Sequence, residues 1–322
     1  MLAHSTNNYL YGKGILYFKA SGGDGYHDFG NVPSFGITVG VETSEHYSSR
    51  FGTKEKDKKI ATEKTATASF TLEEINAENL NIAFLGDGVQ AASQEAGTID
   101  AAETTVADDL HISLGKTDLY LTRLSHGTVT DGPFQAGETV TGGTSAATGK
   151  VAWVGSGFIE VVSVSGTFQA AETITGGTST GSAAVSNIET SKDVVVVDAA
   201  TPTTRYTLGD DYDVDVVGGL LRKRSDGDIS GASVYVSADY SLKSNKYIRA
   251  LANSELRGEL LFVGNPDYGQ RWRVQGWDVA LTVGGDLPLI SDDIAQLSMS
   301  AEFLSDRTNH PDEPFFRATQ AS

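Results

Sequence analysis

The residues that could do chemistry are few, and each set fails on spacing. Gly143-Thr-Ser-Ala-Ala-Thr-Gly149-Lys150-Val151 imitates a phosphate-binding loop. In such a loop backbone N–H groups cradle phosphate, and a hydroxyl residue after the lysine holds magnesium. Here one residue too many separates the glycines, and Val151 stands where the hydroxyl is needed. Asp210, Asp211, Asp213 and Asp215 would suit a hard cation. A calcium loop, however, needs a central glycine and a terminal bidentate glutamate, and neither falls in place. Strand alternation instead puts three of these carboxylates on one exposed face.

The six histidines, His4, His27, His46, His111, His126 and His310, are scattered without HExxH or paired ligand spacing. The chain has no cysteine, which excludes disulfides and a thiolate nucleophile. It has no GxSxG elbow either. A carboxylate pair for glycoside hydrolysis is brought together by folding and leaves no spacing signal. The inventory predicts a protein that is not an enzyme and takes no metal or cofactor.

The formal net charge is −18 over 322 residues. So acidic a surface keeps a protein soluble, repels phosphate backbones and disfavours specific nucleic-acid binding. It also suits a protein that tolerates nucleic acid nearby without holding it. Met1–Gly14 carries no apolar signal core, and runs such as Val194–Val197 and Leu260–Val263 are too short to span a bilayer. The expectation is a soluble protein used without export.

The elements that would position any site are mostly strands. With 36 Gly and only 7 Pro, and with short apolar runs rich in Thr and Ser, the chain reads as strands joined by tight turns. Ile37, Val39 and Val41 alternate with Gly36, Thr38, Gly40 and Glu42. A charged stretch from Ser44 to Lys64 follows and reads as a long loop. Next, Ala66, Ala68, Phe70 and Leu72 alternate with Thr65, Thr67 and Ser69. Thr71 to Leu80 reads as a helix, with Thr71 as cap and Leu72, Ile75, Leu80 and Phe84 as its apolar face. Near the end, Leu297, Met299, Ala301 and Phe303 oppose Gln296, Ser298, Ser300 and Glu302. One wet and one dry face per strand is the mark of an antiparallel sheet.

Phe134-Gln-Ala-Gly-Glu-Thr-Val-Thr-Gly-Gly-Thr-Ser145 recurs as Phe168-Gln-Ala-Ala-Glu-Thr-Ile-Thr-Gly-Gly-Thr-Ser179. One supersecondary unit is therefore used twice. The repeat and its Gly-rich flanks predict a small, separable β-module at 125–190, inserted in a discontinuous host domain of 1–124 and 191–322. Lys54, Lys56, Lys58 and Lys59 form a basic cluster in an acidic protein. A solvated loop would explain it, but a basic loop beside an acidic body also makes self-complementary surfaces.

The order of these elements resembles a known family. Its marks are the early strand pair with its long charged interruption, Thr67-Ala-Ser-Phe-Thr-Leu-Glu-Glu-Ile-Asn-Ala-Glu-Asn-Leu80 and Tyr206-Thr-Leu-Gly-Asp-Asp-Tyr-Asp-Val-Asp215. Ser233-Val-Tyr-Val-Ser-Ala-Asp-Tyr240, Leu297-Ser-Met-Ser-Ala-Glu-Phe-Leu-Ser-Asp306 and Pro314-Phe-Phe-Arg317 complete it. Together they look like the major tail tube proteins of long-tailed bacteriophages, over about residues 10–124 and 191–317.

The resemblance implies a mainly β fold, an antiparallel β-sandwich flanked by one α-helix. Copies would assemble into hexameric rings stacked as a hollow tube, their inner sheets closing a barrel through which the genome passes. The long loop with Lys54, Lys56, Lys58 and Lys59 would reach the next ring, and the 125–190 module would project outward. The implied partners are the protein itself and the tape measure, tail terminator and distal tail proteins. DNA would pass without specific binding, and no membrane is involved. The implied location is the virion tail, assembled in the host bacterial cytoplasm. A conduit should present small, polar or acidic groups, and Thr65, Thr67 and Ser69 with Gln296, Ser298, Ser300 and Glu302 are the candidates for its wall. A capsid-decorating or tail-fibre binding module, reading its target through the repeat, is the alternative.

Overall fold

The computed structural model describes residues 9–50 and 52–321. The fold is mainly β, as predicted, with antiparallel sheets and one helix among the described residues. The first elements are β1 (Gly14–Ala20), β2 (His27–Asp28), β3 (Ser34–Ser48), β4 (Glu55–Leu72), α1 (Ala77–Ala83) and β5 (Val89–Gln94). Then come β6 (Gly97–Thr105), β7 (His111–Ser113), β8 (Leu119–His126), β9 (Thr139–Gly142), β10 (Thr148–Gly155), β11 (Phe158–Ser165), β12 (Thr173–Gly176) and β13 (Ser182–Ser191). Next are β14 (Val195–Val197), β15 (Tyr212–Asp215), β16 (Leu220–Lys223), β17 (Ser233–Tyr240) and β18 (Lys243–Ile248). The last are β19 (Leu256–Gly264), β20 (Arg271–Val283), β21 (Leu297–Phe303) and β22 (Phe316–Ala321). Among the described residues no helix is long and apolar enough to cross a membrane.

Two compact units divide the chain, one holding residues up to 91 and from 246, the other residues 92–245. These boundaries differ from the expected 124/125 and 190/191. Residues 92–124 and 191–245 join the second unit because β6, β14 and β17 share a sheet with β8. That pairing is long-range and invisible to local composition.

The first unit is one sheet in the order β2-β1-β19-β20-β21-β4-β3, with β22 also on β20. Alternation decides its faces. Leu16, Phe18, Ala66, Ala68, Phe70, Leu72, Leu260, Val279, Leu281, Leu297, Met299 and Phe303 are buried in one core. The sheet curls round that core, so Phe35 of β3 stacks on Phe262 of β19 at a centroid distance of 5.0 Å. The two layers expected of a sandwich are thus one continuous sheet facing itself. Its inner surface is closed by α1 and by Phe29, whose ring meets Phe70 at 5.4 Å.

The helix starts later than predicted. Thr71 and Leu72 belong to β4, because Leu72 pairs with Leu297 and Thr71 with Ser298. Asn76 is the cap, its side chain accepting the Asn79 N–H at 2.7 Å. Buried Asn79 then donates to the Phe29 and Glu74 carbonyls at 3.0 and 2.8 Å, tying the helix to the sheet. Asn76→Ala removes one cap bond and should destabilise this unit by about 1 kcal/mol. The urea midpoint followed by Trp272 and Trp277 fluorescence would show it; an unchanged midpoint would mean the cap is dispensable.

In the second unit β8, β11, β10, β9, β12 and β13 close a ring of antiparallel pairs. Exchanging β8, β9 and β10 for β11, β12 and β13 leaves every pairing in place, so the ring has pseudo-two-fold symmetry. Closure removes the sheet edges. Its interior holds Leu124, Phe134, Val140, Val151, Ile159, Val161, Phe168, Ile174 and Val185. The strands of the expected 125–190 module thus lie in a barrel completed by β8, which starts before it. Val162 from inside the segment also packs with Leu121, Val195 and Val197 from outside it.

Candidate assembly surface

Lys54, Lys56, Lys58 and Lys59 were expected on a long loop; three of them lie on a strand. β3 and β4 stay paired from Ser34↔Thr71 out to Ser48↔Glu55, leaving a short turn that holds Lys54. Two register shifts, opposite Glu42/Thr43 and His46/Tyr47, let this arm bend and break the alternation of β4. The arm holds itself together by surface contacts. Lys56 pairs with Glu45 at 2.5 Å, and His46 Nδ1 meets Asp57 at 2.6 Å. The Lys56 ammonium and the Tyr47 hydroxyl, both bonded to Glu45, hold its carboxyl below the usual carboxylate range. Exposed contacts of this kind contribute little, because water and salt screen them.

The arm carries the core face of the sheet away from the core. Partners across the ladder share a face, so Phe35/Phe70, Ile37/Ala68, Val39/Ala66 and Val41/Lys64 continue one surface. Phe70, Ala68 and Ala66 are buried, yet Val39 is 66% and Val41 59% exposed. Tyr47, on the same face, and Ile60, on the other, are exposed as well. β3 is also the terminal strand of its sheet: 15 residues with no proline and no partner on the outer edge among the described residues. A long unprotected edge is a template for another chain.

The residues expected to line a conduit share the opposite face. In the ladders, Thr67 faces Glu302, Ser69 faces Ser300, and Thr71 faces Ser298. Thr65 faces Gly40 one step outward along β4, and Gln296 precedes β21, its amide donating to Glu73 at 2.8 Å. The sequence reading missed two neighbours, Thr38 opposite Thr67 and Thr282 opposite Ser300, whose hydroxyls meet at 2.8 Å. For Thr38 the signal was present, in its alternation with Ile37 and Val39. The resulting patch on β3, β4, β21 and β20 is hydroxyl-rich, and Glu302 supplies its charge.

The phosphate-loop imitation is occupied from within. Thr144 and Ser145 donate their backbone N–H groups to Glu172 at 3.2 and 2.9 Å, and the Ser145 hydroxyl donates at 2.8 Å. Across the pseudo-axis, Thr178 and Ser179 do the same to Glu138 at 3.1, 2.9 and 2.8 Å. Each copy of the repeat thus fills the anion nest of the other. Gly142 makes the approach possible, since a Cβ there would sit 2.6 Å from the Glu172 carboxylate. Burial pushes both carboxyls up, but the backbone and hydroxyl donors outweigh it and leave them below the usual range. Lys150 meanwhile pairs with Asp100 at 2.6 Å.

The aspartate run is spent on structure too. Asp211 accepts from the Thr207 and Asp228 N–H groups, Asp215 from Val217 and Gly218, and Asp213 lies 3.7 Å from Arg222. His27 bonds Asn79, His310 stacks on Trp277 at 3.7 Å, and His4 lies outside the described residues. No group of three or more His, Asp or Glu among the described residues is placed to hold a metal ion.

A family described as "Protein of unknown function UCP028589" matches residues 9–132 and 159–317. The match runs through both compact units and omits 133–158, which contains the whole of β9 and β10. No curated protein matches the chain. Since the matched residues make up well over half of its length, the chain belongs to the UCP028589 family.

Proposed function

We propose that the protein is a structural virion component that assembles with copies of itself into stacked rings forming a phage tail tube. The observation that carries this reading is the arm, where the core face of a sheet continues past its core with Val39 and Val41 exposed. A subunit built to stay alone would end that sheet at Ile37. Apolar surface and a free 15-residue edge both gain from a second copy. The hydroxyl-rich patch supports the conduit part of the reading. Its groups satisfy each other and water, and beside an acidic body they offer DNA phosphates nothing to hold. The resemblance supplies the number six. Four strands from each of six copies, spaced about 4.8 Å apart, close a bore roughly 37 Å across between backbones. That is room for a duplex.

In this reading the protein is not an enzyme. It resides in the virion tail after assembly in the host bacterial cytoplasm, and it meets tape measure, terminator and distal tail proteins at the tube's ends. Negative-stain electron microscopy of the purified protein, with sedimentation over a range of concentration and salt, tests it. Rings or tubes are the expected result. A monomer under every condition would refute the proposal, and trimers or capsid-bound spikes would favour a decorating module.

A further inference from the structure

The loop between β20 and β21, residues 284–296, exposes apolar side chains that nothing among the described residues covers. Leu287 packs into the core and anchors it. Beyond the anchor, Leu289 is 82%, Ile290 99% and Ile294 76% exposed. Exposure this complete, at three residues in six, is costly unless something takes them out of water. The same loop carries Asp286, Asp292 and Asp293 and no basic residue. Where it joins β20, an open apolar groove of about 460 Å³ is lined by Ala83, Phe84, Leu85, Leu251 and Val283.

Its place in the sheet is decisive. β21 starts at Leu297 opposite Leu72, the last residue of β4, whereas the arm tip lies beyond Glu55, the first. At about 3.3 Å per residue, the 18-residue β4 can separate loop from tip by at most roughly 55 Å. One end of the unit therefore presents apolar residues beside lysines outside any close ion pair, the other apolar residues beside aspartates outside any close ion pair. The arm, Val41 to Lys64, has six basic and five acidic side chains; the rest of the chain has 18 and 37, by subtraction from 24 and 42. Among the described residues Lys54, Lys58 and Lys59 make no ion pair within 4.0 Å, nor do Asp286, Asp292 and Asp293.

We infer that the 284–296 loop and its groove receive the β3–β4 arm of a second copy. This rests on the self-assembly reading above and names its acceptor. Two alternatives within a homo-assembly fail on charge. Arm against arm brings two lysine clusters together, and loop against loop brings six aspartates, each within a Debye length of about 8 Å. Arm against loop brings opposite charges and covers apolar groups on both sides. Donor and acceptor sit at opposite ends of one unit, so the contact is heterologous and repeats along an axis without closing. Each added copy presents a fresh acceptor.

The test is a charge exchange. Lys54→Glu, Lys58→Glu and Lys59→Glu together should raise the protein concentration needed for assembly at least tenfold, read by sedimentation velocity. Asp286→Lys, Asp292→Lys and Asp293→Lys together should do the same. Combining both sets should restore assembly, because the ends are again complementary. Leu289→Ser, Ile290→Ser and Ile294→Ser should weaken assembly without rescue, and circular dichroism melts should show all variants folded. If the aspartate set assembles like wild type, or the combined variant stays dispersed, the acceptor assignment is overturned while the assembly reading stands. If wild type itself never assembles, both fall.

Discussion

A protein in which Glu42–Glu63 is replaced by Asn-Gly will fold normally and will not assemble. The cut is chosen from the register: Val41 and Lys64 are partners across the ladder, so a two-residue turn can join them without shifting a strand. What it removes is the exposed end of the arm. Every residue from Glu42 to Tyr47 and from Glu55 to Thr65 is exposed, so among the described residues the subunit loses no buried apolar area. The lost ladder bonds are solvent-facing, and the shorter connection costs less closure entropy. Thermal stability should therefore change by no more than about 1 kcal/mol. Association should change far more. Losing even ~3 kcal/mol of contact at each junction weakens that junction by over a hundredfold, and a ring repeats the loss at every subunit. Sedimentation and negative-stain imaging read the assembly; calorimetry reads the fold. Tubes of normal length from the truncated protein would mean that inter-ring contact lies elsewhere.

What the sequence revealed and hid follows from the range of the interactions involved. Period two is local, so Thr65, Thr67 and Ser69 against Ser298, Ser300 and Glu302 could be assigned to one side of their strands before any pairing was known. That Thr67 lies beside Glu302 depends on a strand-to-strand choice across 235 residues. The arm misled for a physical reason. Its lysines and glutamates alternate in sign, and the register shifts opposite Glu42/Thr43 and His46/Tyr47 interrupt the period, so an extended ribbon reads as a loop. The helix shifted because Thr71 and Leu72 satisfy both a cap pattern and the end of a strand. Leu297 settles the choice by pairing with Leu72. The 34-residue repeat was plain in the text. Its consequence was hidden, because a pseudo-two-fold puts Thr141 opposite Thr175 and hands each copy's glutamate to the other. A repeat read along the chain looks like a detachable insert. Closed through β8, it encloses one of the second unit's core clusters.

Glu138→Ala with Glu172→Ala should destabilise the second unit by about 4–6 kcal/mol, the largest stability effect we expect from any pair of substitutions that leaves the apolar core intact. Each carboxylate accepts three bonds from the other copy and one from its own, Gln135 to Glu138 at 2.7 Å and Gln169 to Glu172 at 2.6 Å. Both side chains are buried. Truncation leaves several backbone N–H groups without an acceptor, and a buried polar group so orphaned costs about 1–3 kcal/mol. The two nests lie on opposite sides of the pseudo-axis and share no donor, so single variants should each show about half of the effect. The pH dependence has a definite sign. Both folded carboxyls titrate below the ordinary glutamate range, near pH 4.3. As pH falls through that range the unfolded chain takes up protons first, so stability falls. The contribution is complete above about pH 4.3 and disappears as the folded carboxyls protonate. Wild type and the double variant should therefore converge in acid and diverge at neutral pH. Trp153 is the one tryptophan of the second unit. In a Trp272→Phe/Trp277→Phe background its fluorescence reports that unit's urea unfolding alone. A double variant whose midpoint matches the parent at pH 7 would show that the exchanged glutamates are accessory to the barrel, held together instead by Phe134, Phe168 and their neighbours.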